Sequence, residues 1–270
     1  MSDPSTPDRP EDWVRIERHG EDGEVAELVL ARTGAMNAIS TEMARRISAA
    51  TDELAASDVR CVVVTSAHEK AFCVGADLKE RNSFTDADLM EQRPVTQRAY
   101  GGVLDLPMPT IAAVDGFALG GGLEIALSCD VLVAGEGALL GLPEVSVGVI
   151  PGGGGTQLLT RRIGWSRAAR AIFTAAKYPA PEAAEIGIVD ELVLAGSARE
   201  KALEMAATIG RNSPVGLRNA KRAMRLGSDV DLRTGLQVED ACWRATAFSG
   251  DRAEGVAAFA EKRAPKWPGK

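Results

Sequence analysis

DGFALGGGLEIALSCD, running from Asp115 to Asp130, decides how this chain is read. Thr110–Val114 before it is apolar and rich in small and β-branched residues, as a buried strand is, and Gly116–Gly122 reads as the turn that follows. Leu123–Ser128 then begins a helix. A strand that passes through consecutive glycines into a helix exposes unpaired N–H groups at the positive end of the helix dipole. Such a nest can hold a developing oxyanion. Glu124 falls in the first helical turn, where a negative charge is favoured by the dipole alone, so a structural and a chemical role both stay open. The segment lacks the GxGxxG of a dinucleotide site, and the later run PGGGGTQ lacks the GK[ST] ending of a P-loop.

Two neighbouring segments belong with it. AFCVGADLKE (Ala71–Glu80) follows the nearly continuous β-branched run VRCVVVT (Val59–Thr65), a strand buried on both faces. It puts Gly75 and Ala76 in a turn, which either needs glycine for its own geometry or lets a ligand approach backbone N–H groups. GLPEVSVGVIPGGGGTQ (Gly141–Gln157) carries Glu144 just after Pro143, among Leu142, Val145 and Val147. A carboxylate there is either an exposed loop residue or a partly desolvated acid with a raised pKa, suited to proton transfer near neutrality. Gly152–Gly155 reads more simply as a flexible turn before a helix.

Further out, Val25–Ala31 reads as a strand, and Ser40 caps a helix whose Met43, Ile47 and Leu54 form a buried stripe. A helix is expected over Asp86–Leu106, stopped by Pro107 and Pro109. Short strands are expected at Val131–Ala134, Ala138–Leu142 and Ile188–Val193, and helices fill most of the chain beyond Gly155. The order implies an α/β core with parallel strands and a helical C-terminal region. The expected division is a flexible tail at residues 1–12, a core at 13–200 and a helical region at 201–270.

Composition narrows the function. A formal charge of -7 over 270 residues argues against a nucleic-acid partner, since phosphate binding is driven by lysine and arginine. The arginines Arg161, Arg162, Arg167 and Arg170 read as a solvated helix face. Cys61, Cys73, Cys129 and Cys242 lie far apart with no CxxC pair, and the two histidines, His19 and His68, stand in polar turn-like contexts. Metal, disulfide and serine–histidine chemistry therefore have little to draw on. Asp115, Glu124 and Asp130 within the apolar stretch Ile111–Gly135 speak against a membrane span. With no signal segment at the N-terminus, a cytoplasmic location is expected.

Taken together, R-x4-N-A (Arg32–Ala38), AFCVGADLKE, AAVDGFALGGGLE, the CD pair, GLPEVSVGVIPGGGGTQ-x2-T and FSGDRAEGVAAFAEKRAPKW resemble the crotonase superfamily, the enoyl-CoA hydratase/isomerase family. The resemblance covers about Val25 to Trp267. It implies a spiral of ββα turns with a helical C-terminal part used in trimerisation, and a homotrimer or homohexamer. It also implies an acyl-CoA substrate, with coenzyme A entering as part of the substrate and no cofactor or metal. By matching positions, the N–H groups of Ala76 and Gly121 form an oxyanion hole flanked by Gly75 and Gly120, Glu124 activates water, and Glu144 supplies the α-proton. Lys79, Trp243, Phe259 and Lys262 match positions that hold the CoA nucleotide, often across a subunit boundary; a core aromatic and a solvated lysine are the simpler alternatives for the last three. Both glutamates together imply a hydratase. A 3,2-enoyl-CoA isomerase working through Glu144 alone is the nearest alternative, and a non-catalytic or RNA-binding member a more distant one. Thr33 and Gly34 depart from the proline and basic residue common in hydratases, and Val74 from the usual alanine or glycine.

Overall fold

The computed structural model describes residues 9–270. Most of the expected tail thus lies outside the described residues; its end, Pro10–Asp12, forms one 3-10 turn.

Two sheets organise the core. The larger has six strands in the order β1 (Val14–His19), β2 (Val25–Leu30), β3 (Cys61–Ser66), β5 (Thr110–Val114), β7 (Val131–Gly135) and β10 (Glu191–Val193). The smaller has four, in the order β4 (Ala71–Cys73), β6 (Phe117–Leu119), β8 (Leu139–Gly141) and β9 (Lys177–Pro179). Only the edge strands β1 and β9 run antiparallel to their neighbours. The helices are α1 (Thr41–Ala55), α2 (Leu78–Arg81), α3 (Asp86–Leu104), α4 (Gly121–Ser128), α5 (Gly155–Ile163), α6 (Trp165–Phe173), α7 (Ala180–Glu185), α8 (Ala198–Gly210), α9 (Pro214–Gly227), α10 (Leu232–Ala247) and α11 (Gly250–Glu261). Successive segments β3–β4–α3, β5–β6–α4 and β7–β8–α5 each give one strand to the large sheet, one to the small sheet and then a helix. This is the spiral of ββα turns.

The large sheet is covered on both faces, which explains the unbroken apolar runs. Cys61, Val63, Ile111, Ala113 and Val133 face Ala198, Ala202 and Ala206 of α8. Their neighbours Val62, Val64, Ala112, Val114 and Leu132 face the main core with Phe72, Leu123 and Ile125. The small residues of α8 let it sit close on the sheet, so this helix, which crosses the expected boundary at residue 200, packs with the core. Within the α8-facing layer Glu27 is buried, bound by Arg199 through Nε and Nη2 at 2.7 Å each and by the Thr65 hydroxyl at 2.7 Å. Burial pushes its carboxyl up, but those donors outweigh it and the pKa ends below the ordinary value.

Several expectations need correction. The turn expected at Gly116–Gly122 contains β6, and AFCVGADLKE, read only as a turn at Gly75 and Ala76, also holds β4 and the start of α2. Strands of three residues carry no period to recognise, and pairing with neighbours makes them. The strand expected at Ile188–Val193 is only Glu191–Val193, because Ile188 and Val189 close the end of α7 through N–H bonds to Ala183. Ser40 caps α1 as expected, accepting the Met43 N–H at 3.2 Å, and Met43, Ile47 and Leu54 are buried. Among the described residues no helix is long and apolar enough to cross a membrane.

Asp130, of the CD pair, ties the helical region to the core. It accepts Lys221 at 2.7 Å and Arg225 at 2.8 Å from α9, and Lys221 also donates to the Met108 carbonyl at 2.9 Å. Beyond it α9 and α10 form an antiparallel-style hairpin packed largely on itself.

Candidate active site

Two loops meet backbone to backbone where β4 and β6 end. Gly75 has φ 90°, and a Cβ there would lie 2.8 Å from the Leu119 carbonyl and 3.0 Å from the Gly121 nitrogen. Gly120 has φ 53° and ψ -128°, a conformation that glycine alone adopts without strain, and its N–H donates to the Gly141 carbonyl at 2.8 Å. Both loops need glycine for conformation and for space.

The first loop is fixed on its other side. Ile39 N–H donates to Gly75 C=O at 2.7 Å and Asp77 N–H to Ile39 C=O at 3.1 Å, which leaves the intervening Ala76 N–H directed elsewhere. The Gly121 N–H opens α4 and is one of the unpaired amides of a helix start. Neither amide has a hydrogen-bond acceptor among the described residues. Asp77 caps α2, accepting Lys79 N–H at 3.0 Å and Glu80 N–H at 3.1 Å. Arg32 reaches it at 2.7 Å, donates to the Ala38 carbonyl at 2.7 Å and lies 4.5 Å over the Trp13 ring. Burial raises the Asp77 pKa, yet Arg32 and the capped amides bring it below the ordinary value. Asn37 is the other fixed point: buried, left-handed at φ 56°, it donates through Nδ2 to Ser66 Oγ and the Phe72 carbonyl at 2.8 Å each. The R-x4-N spacing thus clamps the loop of Gly75 and Ala76 from two sides.

Glu124 is 2% exposed. Its Oε1 accepts Gly153 N–H at 2.7 Å and Gly155 N–H at 2.8 Å. The glycine run expected to be a flexible turn is therefore a clamp on this carboxylate. A Cβ on Gly153 would lie 2.7 Å from Glu124 Oε2 and equally close to the Tyr100 ring, so side chains are excluded there. Burial raises the Glu124 pKa; the two amides, then Arg93 and Arg81, pull it back without cancelling the rise.

Glu144 opens a 3-10 turn, Glu144–Val147. Its Oε1 lies 2.8 Å from where a Cβ on Gly120 would stand, and its Oε2 is buried without a partner among the described residues. Burial, with a smaller push from the Glu124 charge, raises its pKa to about 7. The desolvation expected from the surrounding sequence is thus present.

Ala76, Gly121, Glu124 and Glu144 line one cleft of about 670 Å³ together with Gly75 and Gly120. Three further residues there have no counterpart in the sequence reading: Tyr100, Arg81 and Arg93. Tyr100 is 8% exposed, its hydroxyl directed at Gly121 and its pKa driven well above the ordinary value by burial and then by the Glu124 charge. The buried stripe Gln92, Thr96, Ala99, Tyr100 and Val103 of α3 was the available signal, a helical period running through mostly polar letters.

The nucleotide-binding candidates lie elsewhere. Lys79 is exposed on α2 outside the residues lining the cleft. Trp243 and Phe259, 64% and 88% exposed, line a separate surface depression with Trp267. Lys262 is exposed and left-handed at φ 54° just past the end of α11, whereas Phe259 lies within that helix.

Comparison with known proteins adds to this geometry. The family model for enoyl-CoA hydratase/isomerase matches residues 20–270. The human mitochondrial methylglutaconyl-CoA hydratase is 40% identical over 266 residues, covering 96% of this chain and 78% of that protein. An enoyl-CoA isomerase/hydratase of Mycosarcoma maydis is 38% identical over 255 residues, covering 91% of this chain and 93% of that protein. The crystal structure of an enoyl-CoA hydratase from Bacillus anthracis superposes with a TM-score of 0.92 at 38% identity, covering 96% of this chain and all of that one, 100%.

Proposed function

The chain belongs to the enoyl-CoA hydratase/isomerase family, and from that premise we propose that it adds water across the 2,3 double bond of an enoyl-CoA to give a 3-hydroxyacyl-CoA. One observation carries this reading: two unspent amides, the buried carboxylate of Glu124 and the half-buried one of Glu144 share a single cleft. The thioester oxygen sits between the N–H groups of Ala76 and Gly121, which stabilise the enolate charge as it develops; removing one such donor typically costs about 10²–10³ in rate. Glu124, held through Oε1, presents Oε2 to a water and takes its proton as the oxygen bonds C3. Glu144, with a pKa raised to about 7, is protonated in about half of the molecules at neutral pH, and in that form delivers its proton to C2. The proton on Glu124 then returns through solvent to Glu144, and the sum is one water added. The reaction so written needs no metal or cofactor.

The coenzyme A nucleotide is held by Lys79 with Trp243, Phe259 and Lys262 of a second copy, in a trimer or a pair of trimers. Their distance from the cleft within one chain supports a shared site. The four free, buried cysteines suit a reducing cytoplasm.

Isomerisation of a 3-enoyl-CoA is the second reading, favoured by the contrast between Glu144, whose Oε2 has no partner among the described residues, and the doubly bonded Glu124. Purified protein mixed with crotonyl-CoA should bleach the ultraviolet absorbance of the conjugated thioester, and Glu124→Gln and Glu144→Gln should each slow this by about 10²-fold or more. Parental rates in both variants would refute the assignment. Loss in Glu144→Gln alone, with conversion of a 3-enoyl-CoA retained in Glu124→Gln, would favour the isomerase.

A further inference from the structure

Beside the catalytic groups the cleft has a mixed character that hydration alone does not require. Leu89, Met90, Val149 and Ile150 give it an exposed apolar wall. Set into that wall are two guanidinium groups, Arg81 from the end of α2 and Arg93 from the middle of α3. Neither makes an ion pair with any described residue. Arg93 donates no side-chain hydrogen bond among the described residues, and its Nη1 stands 3.0 Å from where a Cβ on Gly152 would be, next to the Gly153 amide that holds Glu124.

Arg81 is oriented rather than loose. Its Nε donates at 3.1 Å to Oε1 of Gln92, a residue only 4% exposed. The amide nitrogen of Gln92 is itself committed, at 2.8 Å to Thr41 Oγ1 and at 2.9 Å to Glu80 Oε2. A buried, saturated amide thus holds the guanidinium by its inner edge, and its terminal nitrogens have no bond to any described residue.

Such an arrangement discriminates. An acyl chain entering the cleft expels water from both guanidinium groups, and an uncharged chain offers nothing in return. A carboxylate offers two oxygens matched to the guanidinium fork. From Arg81, Arg93 and their place beside Glu124, we infer that this cleft is built for an enoyl-CoA whose acyl group itself carries a carboxylate, which the two arginines bind. The two positive charges also offset the repulsion between that carboxylate and the Glu124 and Glu144 pair. This deepens the hydratase reading and rests on it.

The probes are two enoyl-CoAs of equal carbon number, glutaconyl-CoA with a terminal carboxylate and 2-pentenoyl-CoA without one. Their saturated counterparts, glutaryl-CoA and pentanoyl-CoA, cannot be hydrated and report binding alone. The parent should favour the carboxylated member about tenfold or more, in kcat/KM for the first pair and in Kd for the second, the worth of one charge-assisted contact. Arg93→Met and Arg81→Met should each collapse both ratios toward one, and Arg93→Lys should recover part of the loss. Ratios near one in the parent, or ratios unmoved in both methionine variants, overturn the carboxylate site and leave hydration standing. A parent that prefers glutaryl-CoA but hydrates neither enoyl-CoA overturns the hydratase reading and keeps the binding site.

Discussion

In the proposed hydration Glu144 is the residue whose environment would set the working pH. Its carboxyl titrates at about 7 because burial penalises the charged form and the Glu124 charge adds to that. In the hydration direction it acts as the acid, so kcat/KM for crotonyl-CoA should fall as pH rises through about 7, and this limb should vanish in Glu144→Gln. The same shift acts on stability. A carboxyl whose pKa is raised on folding favours the folded state fully below the unfolded value near 4.5, and that contribution is lost as pH rises through about 7. Glu144→Gln should therefore unfold later than the parent in urea at pH 8, with the gap closing toward pH 4; an equal gap at both pH values would count against a buried, proton-carrying Glu144. Arg32 works at one remove, through Asp77 and the Ala38 carbonyl. Arg32→Met should lower kcat by about tenfold to 10²-fold, the cost of a donor displaced by an ångström or less, with KM moving little. Arg32→Lys should restore part of kcat; equal losses in both would point to folding instead. Glu124, Glu144, Ala76 and Gly121, which meet in the cleft, could be named from the sequence, because each stands inside a distinctive local motif. Tyr100, Arg81 and Arg93 could not, since tertiary packing brings them to the cleft: Tyr100 stands against Gly121 and Gly153, Arg93 against Gly152, and Arg81 is held by Gln92.

At the scale of elements, the junction of β4 with the start of α4 is the tightest in the site. A Cβ on Gly122 would stand 2.0 Å from the Cys73 carbonyl oxygen, and both partners there are backbone. Gly122→Ala should destabilise by about 2 kcal/mol or more, read as a lower thermal midpoint, because neither β4 nor α4 can yield without breaking the small sheet. A variant with the parental midpoint would show that the two elements have slack. The long elements were legible for a plain reason. β2, β3 and β5 are buried on both faces and so spell unbroken apolar runs, and α1 and α3 carry cap residues and ends that proline or buried stripes mark. Of the small sheet only β8 was legible, inside the strand expected at Ala138–Leu142; β4, β6 and β9, of three residues each, take their identity from their neighbours. β1 was missed because its alternation, Val14 and Ile16 against Arg15 and Glu17, uses too few apolar letters. Glycines mislead in one direction throughout: read as flexibility, they serve here as close contacts, and α4 and α5 both begin inside glycine runs.

Over the whole molecule, apolar side chains left uncovered cluster on the last helices. Leu232, Leu236, Trp243 and Phe248 of the α10 segment are 53% to 89% exposed, an expanse that a lone chain leaves to water. Sedimentation equilibrium should give a mass about three or six times that of the chain, and Trp243→Asp with Phe248→Asp should shift it toward one; a concentration-independent monomer would remove the shared nucleotide site from the proposal. The contact between Gly75 and Gly121 has a last consequence. In the proposed reaction the groups that grip the thioester are main chain, written into the path of two loops, whereas the groups that choose the reaction are two replaceable side chains. Single codon changes at Glu124 or Glu144 alter the chemistry without loosening the grip, whereas changes at the glycines forfeit the grip whatever the chemistry. A scaffold divided in this way is robust in what it holds and free in what it does.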